Sequence, residues 1–122
     1  MTEKQLKILN RDVMIGLIGN DPEMIRQFEI DFLRQAKISL NKIAAMYNDS
    51  RLSEIREEAH FLKTSAKAIG AEQTSYLLQA LENSGLEQDK VECKNLILKI
   101  KEALKRVHGV IVNDNTTSPS MP

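Results

Sequence analysis

The sequence has few of the residues that interrupt helices, with three prolines and five glycines in 122 residues. It also has one cysteine and no apolar run near the roughly 18 residues that a membrane-spanning helix requires. The single cysteine excludes an internal disulfide, and the missing apolar run excludes a transmembrane helix. Because the opening residues MTEKQLKILN lack the apolar segment of a signal peptide, we expect a cytoplasmic protein.

No charge of one sign is in excess, since 17 lysines and arginines balance 17 aspartates and glutamates. Without a net field, we expect neither nucleic acid nor an anionic membrane as a partner. Hydrophobic residues make up 42% of the chain, which is too apolar for a disordered protein and enough for a real core at this length. The composition therefore predicts one globular domain.

The sequence is rich in helical periodicity. Apolar residues recur at steps of three and four over residues 25–48, 52–69 and 91–107, and over a shorter stretch, residues 74–81. Asp21 followed by Pro22 is typical of a helix start, and Gly70 is typical of a helix end. A short first helix is predicted over residues 12–18, capped by Asn10 or Asp12. The last two helices are predicted to end at Gly85 and Gly109.

Four amphipathic helices with short connections bury their apolar stripes best against one another. We therefore predict an all-α fold, an antiparallel four-helix bundle with a short additional N-terminal helix. The bundle domain is expected over residues 1–112, in which residues 110–112 are the one candidate for a short strand. The polar, turn-rich residues 113–122 are expected to form a flexible C-terminal tail.

The third predicted helix carries an unusual polar face. On a wheel with 100° per residue, His60 lies about 125° from the centre of the apolar stripe, so it is predicted to face solvent. A lone surface histidine is most often simply solvated. Here, however, Arg56, Lys63 and Lys67 lie within one or two turns on the same face, and Phe61 also lies off the stripe. Three cations around one imidazole favour a histidine that carries an anionic group, such as a phosphoryl group.

The segment AHFLKTSAKAIGA, residues 59–71, resembles the phosphoacceptor segment of histidine-containing phosphotransfer (HPt) domains. That family has the pattern Ala-His-x-Leu-Lys-Gly, a few small residues, then Gly-Ala. The flanks agree as well, with Asp21-Pro22-Glu23 upstream and Ala80-Leu81-Glu82 downstream. The resemblance covers about residues 8–108 and implies a four-helix bundle whose solvent-facing histidine shuttles a phosphoryl group between receiver-domain aspartates.

Carried over residue by residue, the resemblance implies that His60 is the phosphoacceptor and that Lys63 offsets the phosphoryl charge. Glu82 stands where a polar side chain can hydrogen-bond the other imidazole nitrogen and orient the ring. The implied protein is a phosphorelay intermediary rather than an enzyme, and its partners are response-regulator receiver domains and a hybrid sensor kinase. We expect a monomer that needs no cofactor or metal of its own, since Mg²⁺ is expected on the receiver domain.

Thr64 departs from the family pattern, which usually has glycine directly after the lysine. Its added methyl group can restrict the approach of a receiver, because Thr64 lies one turn beyond His60 on the same face. Arg56, Phe61, Thr64 and Lys67 are the predicted docking residues. Phe61 is the expected apolar anchor, and Arg56, Lys63 and Lys67 form the expected basic rim.

Other functions fit the sequence less well. Glu57 and His60 have the Glu-x-x-His spacing of di-iron bundles, but Lys105 stands three residues before His108, so the second copy is missing. No Gly-rich phosphate loop occurs, which argues against an ATP-using kinase. The alternative that remains is a helical adaptor whose histidine does no chemistry. Cys93 is predicted to be a core residue and His108 a cation at a helix end.

Overall fold

The structure, a computed structural model, describes residues 5–117, with side chains described up to residue 113. Five helices make up its regular structure: α1 (Arg11–Ile18), α2 (Pro22–Asn48), α3 (Leu52–Ile69), α4 (Glu72–Leu86) and α5 (Lys90–Thr117). The predicted all-α fold, with one short helix before four longer ones, is confirmed. Across residues 5–117, no helix is long and apolar enough to cross a membrane.

The four longer helices form a closed bundle. Connections of only two or three residues join them, so each helix reverses the direction of the one before. Helix α3 packs against α2 and α4, and α5 packs against α4 and α2. Because each helix has one apolar stripe, this arrangement buries all four stripes in a common core. Its fully buried side chains include Ile43, Ile55, Leu62, Leu78, Leu81, Cys93 and Ile100.

The predicted cap residues begin the first two helices. The Asp21 side chain accepts a hydrogen bond from the Met24 amide at 3.2 Å, and Pro22 occupies the first turn, where its missing N–H costs nothing. The Asn10 side chain accepts from the Asp12 amide at 3.2 Å and starts α1. These contacts explain why both helices begin where the sequence predicts.

Gly70 ends α3 and anchors the segment that precedes α1. Its φ is +83°, a left-handed conformation, and the Ala71 amide donates to the Ala66 carbonyl in the pattern of a Schellman cap. The Asn10 amide donates to the Gly70 carbonyl at 2.7 Å. A Cβ added at Gly70 would collide with the Asn10 carbonyl oxygen. Both the backbone conformation and the close approach therefore require glycine.

Gly70→Ala is expected to lower the free energy of unfolding by about 2–3 kcal/mol, because left-handed strain adds to a weakened contact with Asn10. Gly109→Ala is the matched control. Nothing lies within 4 Å of a Cβ at Gly109, and the residue sits inside a helix, so this variant is expected to gain about 0.5–1 kcal/mol. Urea unfolding of both variants measures the difference, and a Gly70→Ala protein as stable as the parent would contradict the assignment.

Two predictions for the C-terminal region are wrong. Helix α5 does not end at Gly109, and residues 110–112 are helical rather than a strand, because α5 runs on to Thr117. The physical reason is burial: Ile111 is 1% exposed, and its packing outweighs the modest helix cost of one glycine. His108 is consequently inside the helix instead of at its end. Residues 118–122 lie outside the described range, and the domain boundary at residue 112 stays a prediction.

Candidate functional site

His60 lies on the outer face of α3, with 63% of its side chain exposed. Its Nδ1 atom is 3.0 Å from Oε1 of Glu82, which reaches across from α4. The Glu82 side chain is 9% exposed, because α3 and α4 pack closely along this edge. The exposed ring is thus tied to the bundle through its contact with Glu82.

Lys63 contacts the other oxygen of the same carboxylate. Its Nζ lies 2.6 Å from Glu82 Oε2 and donates a hydrogen bond to Gln79 Oε1 at 2.7 Å. The Lys63 side chain is only 10% exposed, so it does not belong to a solvated basic rim as the helical wheel suggested. A long aliphatic stem can pack between helices while its ammonium finds an acceptor, and the α3–α4 interface offers one.

Glu82 is held as an anion by these contacts. Burial by itself raises the pKa of the Glu82 carboxyl, but the Lys63 ammonium and then the His60 ring outweigh it, so the pKa is lowered overall. A carboxylate can only accept hydrogen bonds, so the Nδ1 atom of His60 must carry the hydrogen. The lone pair of the neutral ring is therefore on Nε2, the nitrogen that no described side chain engages.

Comparison with known protein families identifies the family of this chain. The model of the Hpt domain family matches residues 27–109, more than half of the chain. The chain belongs to the Hpt domain family. Hpt domains are the histidine phosphotransfer modules of phosphorelays and interact with receiver domains. No curated protein and no solved structure matched significantly.

The lowered pKa of Glu82 predicts how this Hpt domain responds to acid. The folded state holds the carboxylate as an anion, so its contribution to stability is present above the unfolded pKa, about 4.3, and is lost as pH falls through the folded pKa. Glu82→Gln is expected to cost about 1–3 kcal/mol at pH 7, because it leaves the Lys63 ammonium poorly compensated.

The measurement is urea unfolding of the parent and Glu82→Gln from pH 7 to pH 3. We expect the stability difference between them to shrink as the pH falls below the unfolded pKa, because the folded parent then progressively loses the advantage of its lowered Glu82 pKa. The pKa of Glu72 is also lowered, chiefly by the Asn10 side chain and then the Lys7 amide, but Glu72 is present in both proteins and cancels. A difference that stays constant down to pH 3 would contradict the role given to the Glu82 charge.

Arg56, Thr64 and Lys67 are all exposed around His60. Arg56 lines a shallow depression of about 190 Å³ together with Glu57 and His60. The Thr64 hydroxyl donates to the backbone carbonyl of His60 at 3.1 Å, a contact within its own helix. Thr64 therefore has its hydroxyl occupied, and the departure from the Hpt pattern adds bulk on this face more than it adds a free donor.

Phe61 is 50% exposed and lies at the edge of an apolar groove of about 420 Å³ between α1, α2 and α3. Leu17 and Phe28 line the same groove and are exposed too. Phe28 falls in the apolar spacing of residues 25–48, but the eight-residue α1 is too short to cover it. The Hpt domain thus has an open apolar surface next to its histidine.

Gln79 and Leu17 were not predicted from the sequence. Gln79 is a polar residue on α4 whose contact with Lys63 depends on how α3 and α4 pack, so no local pattern indicates it. Leu17 carries a weak signal, since it precedes Ile18 and Gly19 at the end of a short helix where a large apolar side chain has little core to fill.

Proposed function

We propose that this Hpt domain accepts a phosphoryl group on Nε2 of His60 from a receiver-domain aspartate and passes it to the aspartate of another receiver. The observation that supports this most directly is the contact between Glu82 Oε1 and His60 Nδ1 at 3.0 Å on an exposed ring. It leaves a solvent-facing nitrogen with a lone pair, which is what a nucleophile in this position needs.

In the proposed step, the Nε2 lone pair attacks the phosphorus of the aspartyl phosphate. The N–P bond forms, the P–O bond to the aspartate breaks, and the carboxylate leaves with its electron pair. The proton stays on Nδ1, so the phosphorylated ring gains positive charge, which the Glu82 carboxylate stabilises at 3.0 Å. The same bonds form and break in reverse when the next receiver takes the group.

Lys63 has a second task in this proposal. The incoming phosphoryl group is anionic, and an uncompensated Glu82 carboxylate beside the ring would repel it. With its Nζ 2.6 Å from Glu82 Oε2, the Lys63 ammonium neutralises that carboxylate. We therefore assign the offset of charge to the Lys63–Glu82 pair, with Gln79 as a further hydrogen-bond acceptor for Lys63.

The proposed partners are the receiver domain of a hybrid sensor kinase and that of a response regulator. We expect the receiver to supply Mg²⁺ and its own acidic residues, so that the Hpt domain needs to present only the imidazole. Action as a cytoplasmic monomer belongs to the same proposal.

The experiment that tests it is incubation of the purified chain with receiver domains that carry a labelled aspartyl phosphate. We expect a covalent, acid-labile label on this chain, followed by its transfer to a second, unlabelled receiver. If no receiver of the host labels the chain while at least one still binds it, the adaptor alternative replaces the proposal.

The docking residues have separate expected effects. Phe61→Ala is expected to accelerate dissociation from a receiver, because it removes an aromatic ring that is half exposed on the apolar surface beside His60. Lys67→Glu is expected to slow association, by roughly threefold to tenfold at low salt, and to reduce its salt dependence. Stopped-flow or surface-plasmon measurements separate the two rates.

Two variants on α5 serve as controls for docking. Leu98 and Lys99 are exposed on α5, which packs mainly against α4 and α2. Leu98→Ala and Lys99→Glu should leave both rates within a factor of two. If Phe61→Ala leaves receiver affinity and transfer rate unchanged, the receiver docks on a surface other than this groove.

A further inference from the structure

A second groove opens between α2 and α5, away from His60. Its volume is about 480 Å³, and its lining includes none of the residues around the imidazole. The floor is apolar and consists of Leu33, Ala36, Leu40 and Leu104. Leu33 and Leu40 are half-buried, so apolar surface remains open to solvent. Because α3 packs against α2 and α4, a molecule seated between α2 and α5 leaves the His60 face free.

The two rims of this groove are basic. Lys37 lies on the α2 side, and Lys101, Lys105 and His108 lie on the α5 side, all with exposed side chains. Residues 101, 105 and 108 follow helical spacing, so they form a row about 10 Å long parallel to the α5 axis. Glu102 lies 3.4 Å from Lys105 in an exposed ion pair, which is worth little and leaves the positive charge of the rims in excess.

We propose that the α2–α5 groove binds an acidic amphipathic helix of a partner protein. Such a helix can set leucines into the apolar floor and carboxylates against the basic rims. A single-headed anionic lipid would use one end of the row, whereas carboxylates one turn apart on a helix match cations that are one turn apart on α5. The proposal goes beyond the phosphorelay role and does not depend on it, since His60 takes no part.

The test uses two synthetic helical peptides as probes. Both have leucines along one face. One has glutamates beside the leucines, and the other has glutamines at those positions. Titration into the ¹⁵N-labelled full chain is expected to shift amide resonances along α2 and α5, with the glutamate peptide binding at least about tenfold more tightly. Equal affinity of the two peptides, or shifts centred on the His60 face, overturns the proposal.

A matched pair of variants tests the charge row. The double variant Lys101→Glu, Lys105→Glu is expected to bind the glutamate peptide at least about tenfold more weakly than the parent does. Lys42→Glu with Lys99→Glu makes the same change in net charge at exposed positions on the same two helices, about 160–180° around each helix from the groove, and should bind nearly as the parent does. Thermal melting confirms that both variants fold. If both double variants lose the same affinity for the glutamate peptide, the effect of charge is non-specific and the proposal is wrong.

Two further arms identify other occupants. If sodium dodecanoate shifts the resonances of the groove residues and the glutamate peptide does not, the occupant is a lipid instead of a helix. If the resonances of the groove residues shift as the protein concentration rises with no ligand added, the occupant is a second copy of this chain. None of these readouts uses phosphoryl transfer, so failure of this proposal and failure of the phosphorelay proposal are distinguishable.

Discussion

Replacement of His60 by glutamine is expected to abolish labelling by phosphorylated receivers. The amide of glutamine has no lone pair able to form a stable N–P bond, so the loss should exceed about a thousandfold. The fold should survive, because 63% of the His60 side chain is exposed and a glutamine can still donate to Glu82. We expect the free energy of unfolding to change by less than about 1 kcal/mol.

His108→Gln is the matched control for this result. It removes the other histidine of the chain, which is exposed on α5, and it should leave labelling unchanged. Counting the acid-labile label on each variant measures the nucleophile, and thermal melting followed by circular dichroism measures the fold. Together they separate loss of the nucleophile from loss of the fold. Retained labelling in His60→Gln, or label that disappears only in His108→Gln, would remove the central claim.

Replacement of Lys63 by methionine is expected to affect both transfer and stability. Methionine keeps an unbranched apolar stem but leaves the Glu82 carboxylate, 9% exposed, without its ammonium. We expect transfer to slow by about tenfold to a hundredfold, since one charge-assisted contact is worth roughly 1.5–3 kcal/mol. The free energy of unfolding should fall by about 1–3 kcal/mol for the same reason.

Lys67→Met removes an equal charge one turn further along α3, where the side chain is exposed. Its stability should change by less than about 0.5 kcal/mol, and its transfer rate far less than that of Lys63→Met. A double-mutant cycle with Glu82→Gln then measures the coupling of Lys63 to Glu82. A Lys63→Met rate within a factor of two of the parent would mean that Arg56 or Lys67 carries the charge role.

Much of the fold was predictable because it depends on residues close in sequence. The spacing of Leu52, Ile55 and Ala59 along α3 determines which side of that helix meets the core, and this in turn turns His60 outward. Asp21 and Gly70 mark helix ends through hydrogen bonds to residues within one turn. The family resemblance of residues 59–71 also depends on a contiguous segment.

The sequence by itself therefore determined the helices, most of their ends and the outward face of the candidate nucleophile. Only the tertiary structure decided how Lys63 is engaged. Its two partners are Glu82 and Gln79, which stand 19 and 16 residues away in the sequence and meet Lys63 through the packing of α4 on α3. Helix α5 likewise continues beyond Gly109 because Ile111 is buried in the core. Periodicity records which face of a helix is buried, whereas the partners across that face depend on how neighbouring helices are aligned.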